Sequence, residues 1–186
     1  MTQIKRERRV SKQDWLLAAL DLLKSGGIEA VRVERLAAEL NVAKSGFYYH
    51  FGSRAGLHEA LLDYWLSLDQ KPIEEVHRPA GSSPVSRLAF VYEYVDRAHL
   101  AQFDSAIRQW AHKDPKVRRV WRKEMKQRLV FIRQLFSEIG FTDAELEMRT
   151  RLFVAYQASE RELFQDLTAK DRKRLLDLRL KLLTTL

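Results

Sequence analysis

The chain contains no cysteine. That absence excludes a disulfide framework, a thiolate metal site and a cysteine nucleophile. Its seven glycines are not gathered into a phosphate-binding loop. The five histidines, His50, His58, His77, His99 and His112, have no close metal-ligand spacing, and no nucleophile motif is present, so enzymatic chemistry has no visible carrier and no cofactor is implied. No apolar run approaches the roughly 20 residues that span a bilayer, and the first residues are too polar and basic for a signal peptide. A cytoplasmic protein without a membrane partner is the expectation. Alternating strand patterns, internal repeats and low-complexity tracts are also missing.

What is present is an apolar fraction of 46% over 186 residues, enough to bury a real core. The net charge of +8 falls in two patches. Residues 1–54 hold ten Lys or Arg against six Asp or Glu, and residues 113–138 hold nine against three. A basic N-terminal third suits a polyanionic partner, because neutralised phosphates release counterions. The second patch reads as a solvated helix face.

Helical periodicity with start and stop signals recurs along the whole length, which predicts an all-α chain of about nine helices. After a basic arm, Lys5 to Arg9, Ser11 and Asp14 form a capping-box pattern ahead of the stripe Trp15, Leu16, Ala19, Leu20 and Leu23. Gly26 and Gly27 close that helix. A helix begins near Arg54, and the segment from His77 to Pro84 reads as a linker. Ser83-Pro84, Asp114-Pro115, Thr142 with Glu145 and Thr168 with Asp171 mark later helix starts.

The segment from Gly27 to Leu57 carries the most information. Val33, Leu36, Ala37 and Leu40 make one short helix, a turn falls at Asn41 and Val42, and Phe47 and Phe51 anchor a second helix. The other face of that second helix holds Lys44, Ser45, Tyr48, Tyr49 and His50. An aromatic, polar and basic face following a tight turn is the sequence form of a DNA-reading helix-turn-helix. Lys44, Ser45 and Gly46, at the helix start, are the candidates for reading base edges, with Tyr49 long enough to reach a base. Arg32 and Arg54, at neighbouring helix starts, are candidates for phosphate contact.

Over residues 11–65 the arrangement resembles the TetR family of transcriptional regulators, whose pattern of a small residue, tyrosine and an aromatic ending in Phe is met by SGFYYHF and whose Ser-Lys helix start is met by Ser53 and Arg54. From residue 84 onward the likeness is to that family's helix count. The resemblance implies a DNA-binding domain over 1–53, a linking helix with a ligand-binding and dimerisation domain over 54–186, a homodimer and a palindromic operator. It also implies phosphate contacts from Tyr48 and His50. The chain departs from family habit at Arg32 and Ala43, where Thr and Ser would cap the two helices, and at Gly46, a glycine inside the recognition helix.

Twelve of the nineteen aromatics lie beyond residue 84, so a cavity between helices would have rings in its wall. The candidate lining is Phe90, Tyr94, Trp110, Trp121, Met125, Phe153 and Tyr156, with His99 and Gln157 as polar contacts, for an apolar or aromatic effector. Arg128, inside an apolar helix stripe, reads as a side chain reaching for the surface or as the partner of an acidic effector. The last helix has two leucine stripes, and the one made by Leu175, Leu178, Leu182 and Leu186 is predicted to meet a second subunit together with Leu146 and Leu152 of the preceding helix. Gly56, near the start of the linking helix, reads as an incidental surface glycine. The functional expectation is a ligand-relieved repressor. The alternative is a helix-turn-helix regulator governed by a protein partner or by no effector, with a fully packed C-terminal bundle.

Overall fold

The computed structural model describes residues 10–76, 83–97, 100–164 and 166–185. Nine α-helices occur among them: α1 (Lys12–Gly26), α2 (Val33–Glu39), α3 (Lys44–Phe51), α4 (Arg54–Val76), α5 (Pro84–Arg97), α6 (Leu100–Lys113), α7 (Pro115–Ile139), α8 (Asp143–Leu163) and α9 (Ala169–Thr184), with one 3₁₀ turn at Ile28–Ala30. The basic arm and most of the linker lie outside the described residues.

The helix starts follow from side-chain capping. Ser11 Oγ accepts from the Asp14 amide at 3.2 Å while Asp14 accepts from the Ser11 amide at 2.8 Å, closing the box that opens α1. Ser83 caps α5 through the Ser86 amide, Asp114 caps α7 through Lys116 and Val117, and Thr168 caps α9 through Asp171. Each such cap is worth about 1 kcal/mol. Thr142 stands at the start of α8 but makes no capping bond with its side chain. Gly140, at φ 118°, closes α7 in a conformation that excludes most other residues.

The chain divides into two compact units, Met1–Trp65 and Leu66–Leu186, so the division falls inside α4. In the first unit Trp15, Leu20, Leu23, Leu36, Phe47, Leu57, Leu61 and Trp65 are almost fully buried. Trp15 meets Phe47 edge-on at 5.8 Å, which fixes α3 against α1.

In the second unit the core is built from Leu88 and Val91 of α5, Ile132, Leu135 and Phe136 of α7, Leu146 and Phe153 of α8, and Leu176 and Leu180 of α9. Arg149 donates to the Leu182 and Leu183 carbonyls at 3.0 and 2.7 Å, so the start of α8 lies beside the end of α9. A polar cluster sits within this core. Tyr92 donates to buried Glu160 at 2.6 Å, and the Arg179 guanidinium lies between the rings of Tyr92 and Tyr156 at 4.1 and 4.3 Å. Burial and the neighbouring Glu160 carboxylate push the Tyr92 phenol well above its usual range.

Candidate functional site

The turn between α2 and α3 is built on Asn41, which takes φ 52°, a left-handed conformation that Asn tolerates better than most residues. The Val42 amide returns to the Ala37 carbonyl at 2.9 Å and closes it. One buried side chain, Phe47, then holds α3 down and leaves the opposite face exposed. Tyr49 is 75% exposed and Tyr48 54%, with Lys44 and Ser45 also exposed. Large aromatic surface left in water is what makes this face a candidate interface.

The eight nominated DNA contacts do not share one environment. Ser45, Gly46, Tyr49 and His50 line a single open hollow with Val10, Trp15 and Asn41. His50 Nε2 lies 3.4 Å from the Val10 carbonyl. Lys44 is bonded to Glu34 of α2 at 3.0 Å, and that bond holds the Glu34 carboxyl below its usual range. Both side chains are more than half exposed, so the pair is worth little to stability and is easily exchanged for a phosphate or base. Sequence reading had not found Glu34. Arg32 Nε donates to the Glu29 carbonyl at 3.0 Å and Arg54 to the Ile28 carbonyl at 3.3 Å, so both brace the 3₁₀ turn.

Neither α2 nor α3 has a side-chain cap, as the residues Arg32 and Ala43 require. The Gly46 Cα faces the Trp15 ring, and a Cβ there would stand 3.6 Å from Cζ2, an ordinary contact. Gly46 thus belongs to the flank that packs on α1. At Gly56 the incidental reading is corrected. A Cβ would fall 2.2 Å from the Phe51 carbonyl oxygen, so this glycine is required where α4 passes the end of α3.

In the second unit a cavity of about 60 Å³ lies among α5, α6, α7 and α8. Its wall is mostly aliphatic, from Val91, Val95, Leu100, Ala101, Ile132, Val154 and Ala158, with Phe131 as its one ring. Of the nine nominated pocket residues Gln157 alone lines it. Trp110 and Phe153 are 4% and 2% exposed in the packed interior, Phe90 pairs with Tyr94, and Tyr156 stacks on Phe164. Trp121 and Met125 are half-buried on α7, and His99 lies outside the described residues.

The polar end of the cavity is Asp104 with Arg128, joined by two bonds of 2.5 and 2.9 Å. Arg128 is therefore neither directed to water alone nor left for an acidic ligand. Asp104 was not among the nominated residues. Its signal was its place in the α6 stripe Leu100, Ala101, Asp104, Ile107, a charge at a position where the pattern calls for an apolar side chain.

Leu178 and Leu182 of α9 are 51% and 67% exposed, and Met148 and Leu152 of α8 57% and 50%. Leu175 is half-buried and Leu186 lies outside the described residues. Leu146, nominated for the same face, is 3% exposed in the core, because the side of α8 bearing Leu146, Thr150 and Phe153 turns inward.

A helix-turn-helix unit with an exposed aromatic and basic second helix, joined to a helical bundle, defines a DNA-binding regulatory protein. Residues 16–61 match the family of bacterial regulatory proteins, tetR family. The N-terminal domain thus has the sequence pattern of the TetR family of transcriptional regulators. Solved structures carry the likeness over nearly the whole chain at the level of fold. AibR, in complex with isovaleryl coenzyme A and operator DNA, is 19% identical over 92% of this chain and 97% of its own, with a TM-score of 0.72. A transcriptional regulator from Rhodococcus sp. Rha1 is 18% identical over 94% and 96%, at 0.70. PfmR from Thermus thermophilus is 18% identical over 91% and 96%, at 0.69. A comparison with curated proteins returns no match.

Proposed function

We propose that the chain is a ligand-relieved repressor that acts in the cytoplasm as a homodimer on a palindromic operator. The observation that carries this reading is the exposed face of α3, with Tyr48 and Tyr49 in water and Lys44 held only by an exposed carboxylate. In this reading Lys44, Ser45 and Tyr49 read base edges in the major groove, while Arg32, Tyr48, His50 and Arg54 bond phosphate oxygens. The exposed leucines of α8 and α9 supply the subunit contact, and two-fold symmetry sets the recognition helices one DNA turn apart, about 34–36 Å, or a multiple of it. AibR, captured with both an acyl coenzyme A and operator DNA, supports an effector for a protein of this fold.

The small cavity favours a second reading, in which the bundle is fully packed and regulation comes from a protein partner or not at all. At about 60 Å³ it is far below the several hundred of an ordinary ligand site. Selection of duplexes from a random pool, followed by titration at two salt concentrations, tests the DNA assignment. A palindromic motif is expected, with Lys44→Ala changing the selected sequence and Tyr48→Ala weakening all sequences alike. Binding that is salt-sensitive but blind to sequence would remove the assignment.

A further inference from the structure

We propose that the outer face of α7 is a second contact for duplex DNA, one that grips phosphates without reading sequence. The choice of DNA as the polyanion rests on the DNA-binding reading above. Arg119, Arg122, Lys123 and Lys126 stand in water on that face, and they are the only exposed residues from 119 to 126. None of the four side chains has an ion pair or hydrogen bond among the described residues. Glu124 is the one acid from residue 115 to 137, and at 4% exposure it is turned away from the stripe. Other exposed arginines of the bundle have acids beside them, Arg108 with Glu162, and Arg133 and Arg151 with Glu147. Spacing makes the uncompensated charge costly. Arg119 stands three and four residues before Arg122 and Lys123, and Lys126 four and three after them, so like charges meet on neighbouring turns and weaken the helix. A solvated surface needs charge, and mixed signs supply it without that repulsion. A stripe of one sign is accounted for by a partner of the other.

Anionic partners separate by what else they require. A protein interface is centred on buried aromatic or aliphatic anchors with charge at its rim. The exposed side chains from Arg119 to Lys126 are all cations, which leaves such an interface without a centre. A lasting hold on a membrane adds an apolar face buried in lipid. On α7 that face is spent, because Val117, Ile132, Leu135 and Phe136 are in the core. Duplex DNA asks only for cations, since each neutralised phosphate releases condensed counterions. The stripe runs about 10 Å along the helix, and a duplex carries a phosphate charge about every 1.7 Å of its axis, so four cations meet phosphates in excess. Long side chains that adapt their reach suit a contact that tolerates any sequence. The reading of bases would then stay with α3, and α7 would add affinity to all duplexes alike.

The test titrates the full chain onto a random-sequence duplex of about 40 base pairs at salt concentrations from about 50 to 200 mM. One variant combines Arg119→Gln, Arg122→Gln, Lys123→Gln and Lys126→Gln, and another combines Tyr48→Ala with Tyr49→Ala. The glutamine variant is expected to keep its circular dichroism spectrum and to melt no lower than wild type, since only repulsion is removed. It should bind the duplex about tenfold or more weakly at the lowest salt, and its slope of log affinity against log salt should be shallower by about 3–4. Each substitution made singly should take about 0.9 from the slope, which carries the test if the fourfold variant is unstable. If affinity and slope are unchanged in the glutamine variants while the tyrosine variant loses binding, the α7 contact falls and the α3 reading stands. If wild type binds no duplex at the lowest salt, both fall. If duplex binding is unchanged but the glutamine variant loses adhesion to phosphatidylserine vesicles or to polyglutamate that wild type shows, the stripe serves a membrane or an acidic protein and the DNA assignment is overturned.

Discussion

At Gly46 and Gly56 the same residue type answers opposite demands. Gly46 lies within α3, where glycine costs about 1 kcal/mol relative to alanine, and a Cβ would meet only the Trp15 ring at an ordinary distance. Gly46→Ala should therefore stabilise the chain by up to about 1 kcal/mol in urea unfolding followed by circular dichroism. A loss of stability would mean that the ring cannot accept the methyl group. Tyr92 gives a prediction of pH dependence. Its phenol titrates above the free value of about 10, so the stability it contributes is complete below that pH and is lost as pH rises from about 10 toward the folded value. Tyr92→Phe removes the bond to Glu160 and should cost about 1–3 kcal/mol at neutral pH. The gap between the two proteins should narrow above pH 10 in unfolding measurements across pH 7–11.5, and a constant gap would place the alkaline loss on other groups.

At the scale of the element, α4 starts where α3 stops, and the passage is tight. The Ser53 hydroxyl accepts from the Gly56 amide at 3.1 Å, and the Phe51 carbonyl lies where a Gly56 side chain would stand. Gly56→Ala must push α4 away from α3, so a loss of several kcal/mol or failure to fold is expected, read from the melting temperature and the soluble yield. Wild-type stability in this variant would show that the first turn of α4 can shift without cost. Helix starts of this kind were legible in the sequence, because capping residues act on amides two or three positions away. Ser11, Ser83, Asp114 and Thr168 cap as their spacing predicts. The turn at Asn41 was legible for the same local reason. The cavity was not, since a helical stripe reports which side chains are buried and not where the packing leaves space. Phe153 and Trp110 fill the interior, whereas Val91 and Ala158 border the void, and all four satisfy the same periodicity. The Asp104–Arg128 bond spans 24 residues and joins two helices, so each charge shows as an irregularity in its own stripe while their pairing does not.

At the scale of the whole molecule, α8 and α9 each have apolar side chains on two sides. The inner sets, Leu146 and Phe153 with Leu176 and Leu180, are accounted for by the core. The outer sets, Met148 and Leu152 with Leu178 and Leu182, stand half or more in water on helices that the Arg149 bonds hold side by side. A second copy presenting the same two helices about a two-fold axis would cover them and complete a four-helix contact. Placing glutamates at Leu178 and Leu182 together tests this without touching the core, because both side chains are already in solvent and the fold should keep its circular dichroism spectrum. Sedimentation should then shift from dimer to monomer at micromolar concentration. Operator affinity should fall by about a hundredfold or more, since each half-site would be bound without the raised effective concentration that the linked partner provides. A double variant that remains a dimer would move the subunit contact away from this face, and one that becomes a monomer yet keeps full operator affinity would separate DNA reading from dimerisation altogether.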